Sequence, residues 1–400
     1  VSRQPKPDRA VTRATWQRVA IGAGAAMFLG MALGRFSYSA MIPALIEAGE
    51  VDAITAGYVG GANLLGFLSG AAASTWAARG VRLEQLLPVV IVAAVMALIA
   101  SALPWGPLWL GAWRGVIGVS TGFIMVLGLA MTAQAAPPEH RASAMSYIFV
   151  GVGSGILFGA TVVPACLRIS ILTAWLAVAL AGVCAGAIAI LCWRGVDHVA
   201  AATKTEARVR PMQYRAAWYA VIAASFLFSF GLVPHTIYWF DYLARDLGLG
   251  YTIAGWHWTG VGVFAILGPI AAAWLARQAG TAIAIVVTYI LLAIGLGIPW
   301  LAQTTPALIA STIIFGAQPA ASTLLGARAR DLGSAGNMPA MMRATILANG
   351  VGSALAGITI PKLLDVTGSY EMLFLTGGVA MLLGGLLCLA TSLQSPSSEA

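Results

Sequence analysis

Sixty per cent of the 400 residues are hydrophobic, only 9% are charged, and the mean hydropathy is +0.87. A soluble domain carries about a quarter charged residues, so this composition excludes a soluble enzyme and implies a polytopic membrane protein. The net charge of +8 is no sign of nucleic-acid binding, because the cations lie in scattered short segments with no stripe and no aromatic interleaving.

A hydrocarbon core of about 30 Å needs about 20 apolar residues per helix. On that ruler twelve spans are expected near 19–46, 53–78, 85–103, 107–134, 142–166, 169–193, 216–243, 251–276, 281–301, 306–327, 344–364 and 371–393. The expected fold class is an all-α membrane protein of twelve transmembrane helices. The first span has a basic flank but runs well past a signal-peptide core without a convincing cleavage site, so it is expected to stay as a signal-anchor. Arg35 is its one charged residue. An arginine at that depth costs at least about 2.5 to 3.5 kcal/mol and faces a partner or a polar cavity, which implies an aqueous path inside the bundle.

Topology follows from the basic residues. With the N-terminus inside, every lysine and arginine except Arg35, Arg114, Arg168, Arg245 and Lys362 falls on inside segments, while the first outside loop holds Glu47, Glu50 and Asp52. The positive-inside rule then places both termini in the cytoplasm. Cys166, Cys184, Cys192 and Cys388 lie in apolar spans with no CxxC or Cys/His metal spacing, and are expected to be packing residues.

The longest polar interruption, Arg194 to Arg215, splits the spans into two sets of six. The expected organisation is a cytoplasmic tail at 1–18, a six-helix bundle at 19–193, a cytoplasmic linker at 194–215, a second bundle at 216–393 and a tail at 394–400. Duplication supports the split. Arg35 and Tyr38 return as His235 and Tyr238, and Gly151-Val152-Gly153-Ser154 returns as Gly350-Val351-Gly352-Ser353, each string preceded by an arginine (Arg141, Arg343) and followed by a proline (Pro164, Pro361). Two such halves would enclose a site near the midplane served by alternating access.

Several strings carry a family likeness. Trp76-Ala77-Ala78-Arg79-Gly80-Val81-Arg82 and Leu275-Ala276-Arg277-Gln278-Ala279-Gly280 stand at the second and eighth span ends, with Ala77 and Arg277 at a usual aspartate. Leu110-x-x-x-Arg114-x-x-Ile117-Gly118 lies in span four and Gly151-x-x-x-Gly155-Ile156-x-x-Gly159 in span five. On these strings the chain resembles the major facilitator superfamily over essentially its whole length. Gly34-Arg35-Phe36-Ser37-Tyr38, followed by Ala56-Gly57-Tyr58-x-Gly60-x-Ala62-Asn63-x-x-Gly66, resembles its YbfB/YjiJ-type branch. The resemblance implies a secondary transporter of the cell inner membrane.

Side-chain chemistry sharpens that expectation. Guanidinium is a permanent planar fork suited to carboxylate or phosphate oxygens, and no acidic residue lies centrally in the first six spans to neutralise Arg35 or Arg114. An anion from solution is therefore expected. The candidate substrate-binding residues are Arg35, Tyr38, Asn63, Arg114, Tyr147, His235, Tyr238, Trp239, Gln318 and Asn349. His235, Asp241 and His257 are the candidates for proton coupling, since histidine exchanges protons near neutrality; Asp241 is also spaced to pair with Arg245 at i+4. Trp256 and Trp258, flanking His257, are expected at the membrane interface.

The expected activity is proton-coupled symport of a small organic anion by a monomer, with no cofactor, metal or nucleic-acid partner. Efflux of amphipathic compounds is the alternative. Readings of another class are a transporter-like receptor or scaffold, or an intramembrane enzyme; for the last, Gly118-Val119-Ser120 has no histidine within the first six spans to activate it.

Overall fold

The computed structural model describes residues 13–81, 83–137, 140–194, 214–333 and 338–392. The chain is all-helical over these residues. The linker expected at 194–215 falls almost wholly outside them. In chain order the elements are α1 (Arg13–Met27), a π-helical stretch (Phe28–Phe36), α2 (Ser37–Glu47), α3 (Ala53–Gly80), α4 (Leu83–Ala100), α5 (Pro107–Ala135), α6 (Arg141–Leu167) and α7 (Ile171–Trp193). They continue with α8 (Arg215–Asp241), a second π-helical stretch (Tyr242–Asp246), α9 (Gly250–Ala279), α10 (Thr281–Leu301), α11 (Thr305–Gly316), α12 (Pro319–Leu332), α13 (Met338–Thr367) and α14 (Tyr370–Ala390).

Ten helical stretches among the described residues are long and apolar enough to cross a bilayer, and the apolar part of α4, Gln85–Ala100, is shorter. The expected span 306–327 is broken between Gly316 and Pro319. Proline lacks the N–H that would continue the ladder and disfavours helical geometry in the residue before it. The connections are short and chemically marked. Asp52 accepts from the Thr55 amide at 2.6 Å, Ser170 from Thr173 at 3.0 Å and Ser369 from Met372 at 3.3 Å, capping α3, α7 and α14.

Small residues set the closest helix approach, as expected where lipid tails are as apolar as leucine and packing must do the work. α3 lies against α5 through Gly66 and Gly118: a Cβ on Gly66 would stand 2.2 Å from the Gly115 carbonyl oxygen, and one on Gly118 would stand 2.0 Å from that of Asn63. This contact fixes the Asn63 side chain at the level of Arg114.

Helices before residue 194 meet those after 214 at the end where α2 turns into α3. There Ser39 donates to the Thr236 carbonyl at 2.5 Å, Tyr251 to Glu47 at 2.7 Å and Arg168 to Thr252 at 3.1 Å. Below these bonds α3 runs against α8 and α13. A Cβ on Gly61 would stand 2.2 Å from the Gly357 carbonyl oxygen, one on Gly60 would stand 3.0 Å from Ile237, and one on Gly350 would meet Leu68 at 2.8 Å. α6 and α9 make the matching seam on the other flank, where Gly262 faces Leu157 and Gly153 faces Ile266.

Candidate functional site

The first helix crosses as α, then π, then α, and Arg35 sits in the last turn of the π-helical stretch. A widened turn of this kind recurs at functional sites because it re-aims side chains. Arg35 projects with its guanidinium carbon 5.4 Å from the centroid of the Phe67 ring. Arg114, on α5, is 1% exposed and lies 4.5 Å over the Tyr38 ring. Its Nη2 donates to the Gly34 carbonyl, the residue before Arg35. Asn63 closes the corner by donating from Nδ2 to the carbonyls of Arg114 at 3.2 Å and Gly34 at 3.5 Å, and Tyr38 donates to Ala56 at 3.0 Å. Arg35, Tyr38, Asn63 and Arg114 are therefore brought together on α1–α2, α3 and α5.

The charges of this cluster are not balanced. Nε and Nη2 of Arg35, Nε and Nη1 of Arg114 and Oγ of Ser37 are buried with no hydrogen-bond partner. Between residues 53 and 193 the sequence holds two acidic residues, Glu84 and Glu139, and neither falls within an expected span. Cation–π contact with Phe67 and Tyr38 is worth about 0.5 to 2 kcal/mol. A buried, unpaired ion costs several kcal/mol, so the rings alone leave the deficit standing.

The other candidates sit elsewhere. His235 is fully buried, within 3.2 Å of Ser311 through Nε2 and with Nδ1 unpartnered. Rings enclose it: Trp239 at 4.8 Å, Phe315 at 5.0 Å and Phe374 at 4.5 Å between centroids. His257 Nδ1 lies 2.6 Å from Thr312, and the Trp239 ring stands between the two histidines, 6.3 Å from His257. Adjacent hydroxyls on α11 thus hold both imidazoles. Tyr238 lies under Gly57 with its hydroxyl buried and unpartnered, and Asn349 on α13 likewise has an unpartnered Oδ1. Gln318 stands before α12, half-buried. Tyr147, 38% exposed, packs edge-on to Trp16 near the opposite end of the protein from Glu47.

The i+4 pairing of Asp241 with Arg245 is present and bidentate, at 2.5 and 2.8 Å. Asp241 is buried, however, and also accepts from Tyr370 at 2.6 Å. Tyr370 had no signal in the sequence, since it comes from α14 and reaches across 129 positions. Of the two tryptophans expected at the interface, Trp256 is 71% exposed but Trp258 is fully buried against Phe36, Phe240 and Phe315. Positions two apart on a helix point to different sides, so one indole enters the core. Asp241→Asn removes the negative charge and leaves one acceptor oxygen where Arg245 and Tyr370 now use two. Its expected cost is about 1 to 3 kcal/mol, read as a lowered thermal midpoint of the purified protein.

The comparisons with known proteins agree with this architecture. The family described as "Uncharacterised MFS-type transporter YbfB" matches residues 27–389. No curated protein sequence matches. Among solved structures the chain is similar in fold to a D-xylose–proton symporter (15% identity, 94% of this chain and 97% of that one, TM-score 0.76). It is similar also to a POT family transporter in complex with a thioalcohol-conjugated peptide (13% identity, 94% and 96%, TM-score 0.77) and to the nucleoside transporter NupG (12% identity, 94% and 98%, TM-score 0.69). With a family match over most of its length, on a helical membrane fold shared with solved carriers, this chain belongs to the YbfB-type family of major facilitator superfamily transporters.

Proposed function

We propose that the protein is a secondary carrier of twelve spans in two six-helix halves, joined by a cytoplasmic linker, that moves a small organic anion by alternating access in the cell inner membrane. The observation that carries this reading is the pair of arginines Arg35 and Arg114, of which Nε and Nη2 of the first and Nε and Nη1 of the second are buried with no protein acceptor. An anion entering between the halves would supply the missing charge. The hydrogen bonds and glycine contacts at the α2–α3 end support a state closed on that side, which the positive-inside pattern makes the outer one.

Proton coupling is assigned to the His235–Trp239–His257 cluster rather than to Asp241, which is already held by Arg245 and Tyr370. The cluster lies on α8 and α9, both of which pack against the helices that carry or flank the arginines. In proteoliposomes, His235→Gln is expected to lose substrate-driven proton flux while exchange of labelled for unlabelled substrate partly survives. Loss of both to the same extent makes His235 a structural residue, and unchanged proton flux removes it from the coupling.

A further inference from the structure

We propose that the arginine cluster is built for a doubly charged oxyanion, with two acidic groups a few atoms apart or a single phosphoryl group, rather than for a monoanion. The inference rests on the anion reading above and narrows it. Two cations meet at one backbone position, since Arg114 is anchored on the Gly34 carbonyl and Arg35 is the next residue. Their unpartnered donors are divided between them, Nε and Nη2 on one and Nε and Nη1 on the other. A monocarboxylate has two oxygens and one charge. It can fill one guanidinium fork and leaves the second cation buried and uncompensated, which is the costly state.

The surroundings fit the same charge count. Asn63 spends its amide hydrogens on two carbonyls, and Tyr38 spends its hydroxyl on a third, so neither contributes a counter-charge. Of the acidic residues on the neighbouring elements, Asp241 is held by Arg245 and Tyr370, and Glu47 is engaged by Tyr251. Against α3, the helix of Asn63, α8 brings Ile237 and Tyr238, both uncharged. Two positive charges and no negative one therefore stand in the cluster, and a dianion makes it neutral.

The test is binding to purified protein, followed by calorimetry or thermal shift, with matched probes: propionate against malonate, and methyl phosphate as the phosphoryl arm. The parent is expected to bind malonate or methyl phosphate at least about tenfold more tightly than propionate, equivalent to about 1.4 kcal/mol, and the tighter of the two identifies the group. Arg114→Lys, which keeps the charge but not the fork, is expected to weaken the dianion more than propionate, and Arg114→Gln to erase the preference. Equal affinity for propionate and the dianions overturns the proposal but leaves the anion reading standing, as does a preference that persists in Arg114→Gln. Absence of binding by every one of the probes overturns both. Should Arg114→Gln not yield folded protein, the parent's ratio of dianion to propionate affinity and its fall in Arg114→Lys decide the proposal.

Discussion

Arg35→Ala is expected to abolish anion binding and transport while the protein still purifies as a folded monodisperse species. Each hydrogen bond to a charged group contributes about 1.5 to 3 kcal/mol, and Arg35 offers two buried donors that no protein atom uses. Losing both weakens binding by more than about a hundredfold on the same scale. Arg35→Lys keeps a cation but loses the planar fork, so it should bind measurably but more weakly than the parent. The alanine variant should also be no less stable than the parent without substrate, because it removes an uncompensated buried charge. Two results would turn Arg35 into a structural residue: normal binding by Arg35→Ala, or unfolding of both variants in detergent.

A second large effect is expected at Gly61. A Cβ there would overlap the Gly357 carbonyl, at 2.2 Å, and backbone cannot yield as the tip of a flexible side chain can. Gly61→Val should therefore separate α3 from α13 and hold the two sets of helices apart at the Ser39–Thr236 end, without disturbing the Gly66 and Gly118 contact that holds α3 on α5. Transport should fall to background. In a background lacking Cys166, Cys184, Cys192 and Cys388, a cysteine at Ser39, which is 2% exposed in the parent structure, should become reactive to an impermeant maleimide. If Ser39→Cys stays shielded in the Gly61→Val protein and transport persists, the α3–α13 seam is not part of the conformational cycle.

Features set by local spacing were readable from the amino-acid order. The apolar lengths marked the helices, the solitary charge in the first span marked Arg35, and the four-residue offset marked the Asp241–Arg245 pair. What could not be read depends on partners brought in from other spans. Arg114 anchors on a carbonyl 80 positions away, and Asn63 bridges 29 and 51 positions, so nothing in either neighbourhood announces their bonds. The burial of Trp258 beside an exposed Trp256 follows from which face of α9 meets the first π-helical stretch, α8 and α11, a packing choice that local hydropathy does not encode. His235 matches Arg35 at a sequence offset of 200, yet its ring is enclosed by Trp239, Phe315 and Phe374. Positions that match in sequence need not face matching surroundings. The π-helical stretch at Phe28–Phe36 also lacks a proline to signal it; in the folded chain it lies where Gly30 and Gly34 approach Thr121 and Ile117.

Passage of an anion on the unpaired cations Arg35 and Arg114 is the expectation on which the others depend. Its most direct test is accumulation of labelled malonate and methyl phosphate by proteoliposomes under an imposed pH gradient, with Arg35→Gln liposomes measured in parallel. Uptake above the empty-liposome level is expected for at least one of these dianions, with stimulation by an inwardly directed proton gradient and loss of that uptake in Arg35→Gln. Uptake of the anion that is unchanged by Arg35→Gln would contradict it.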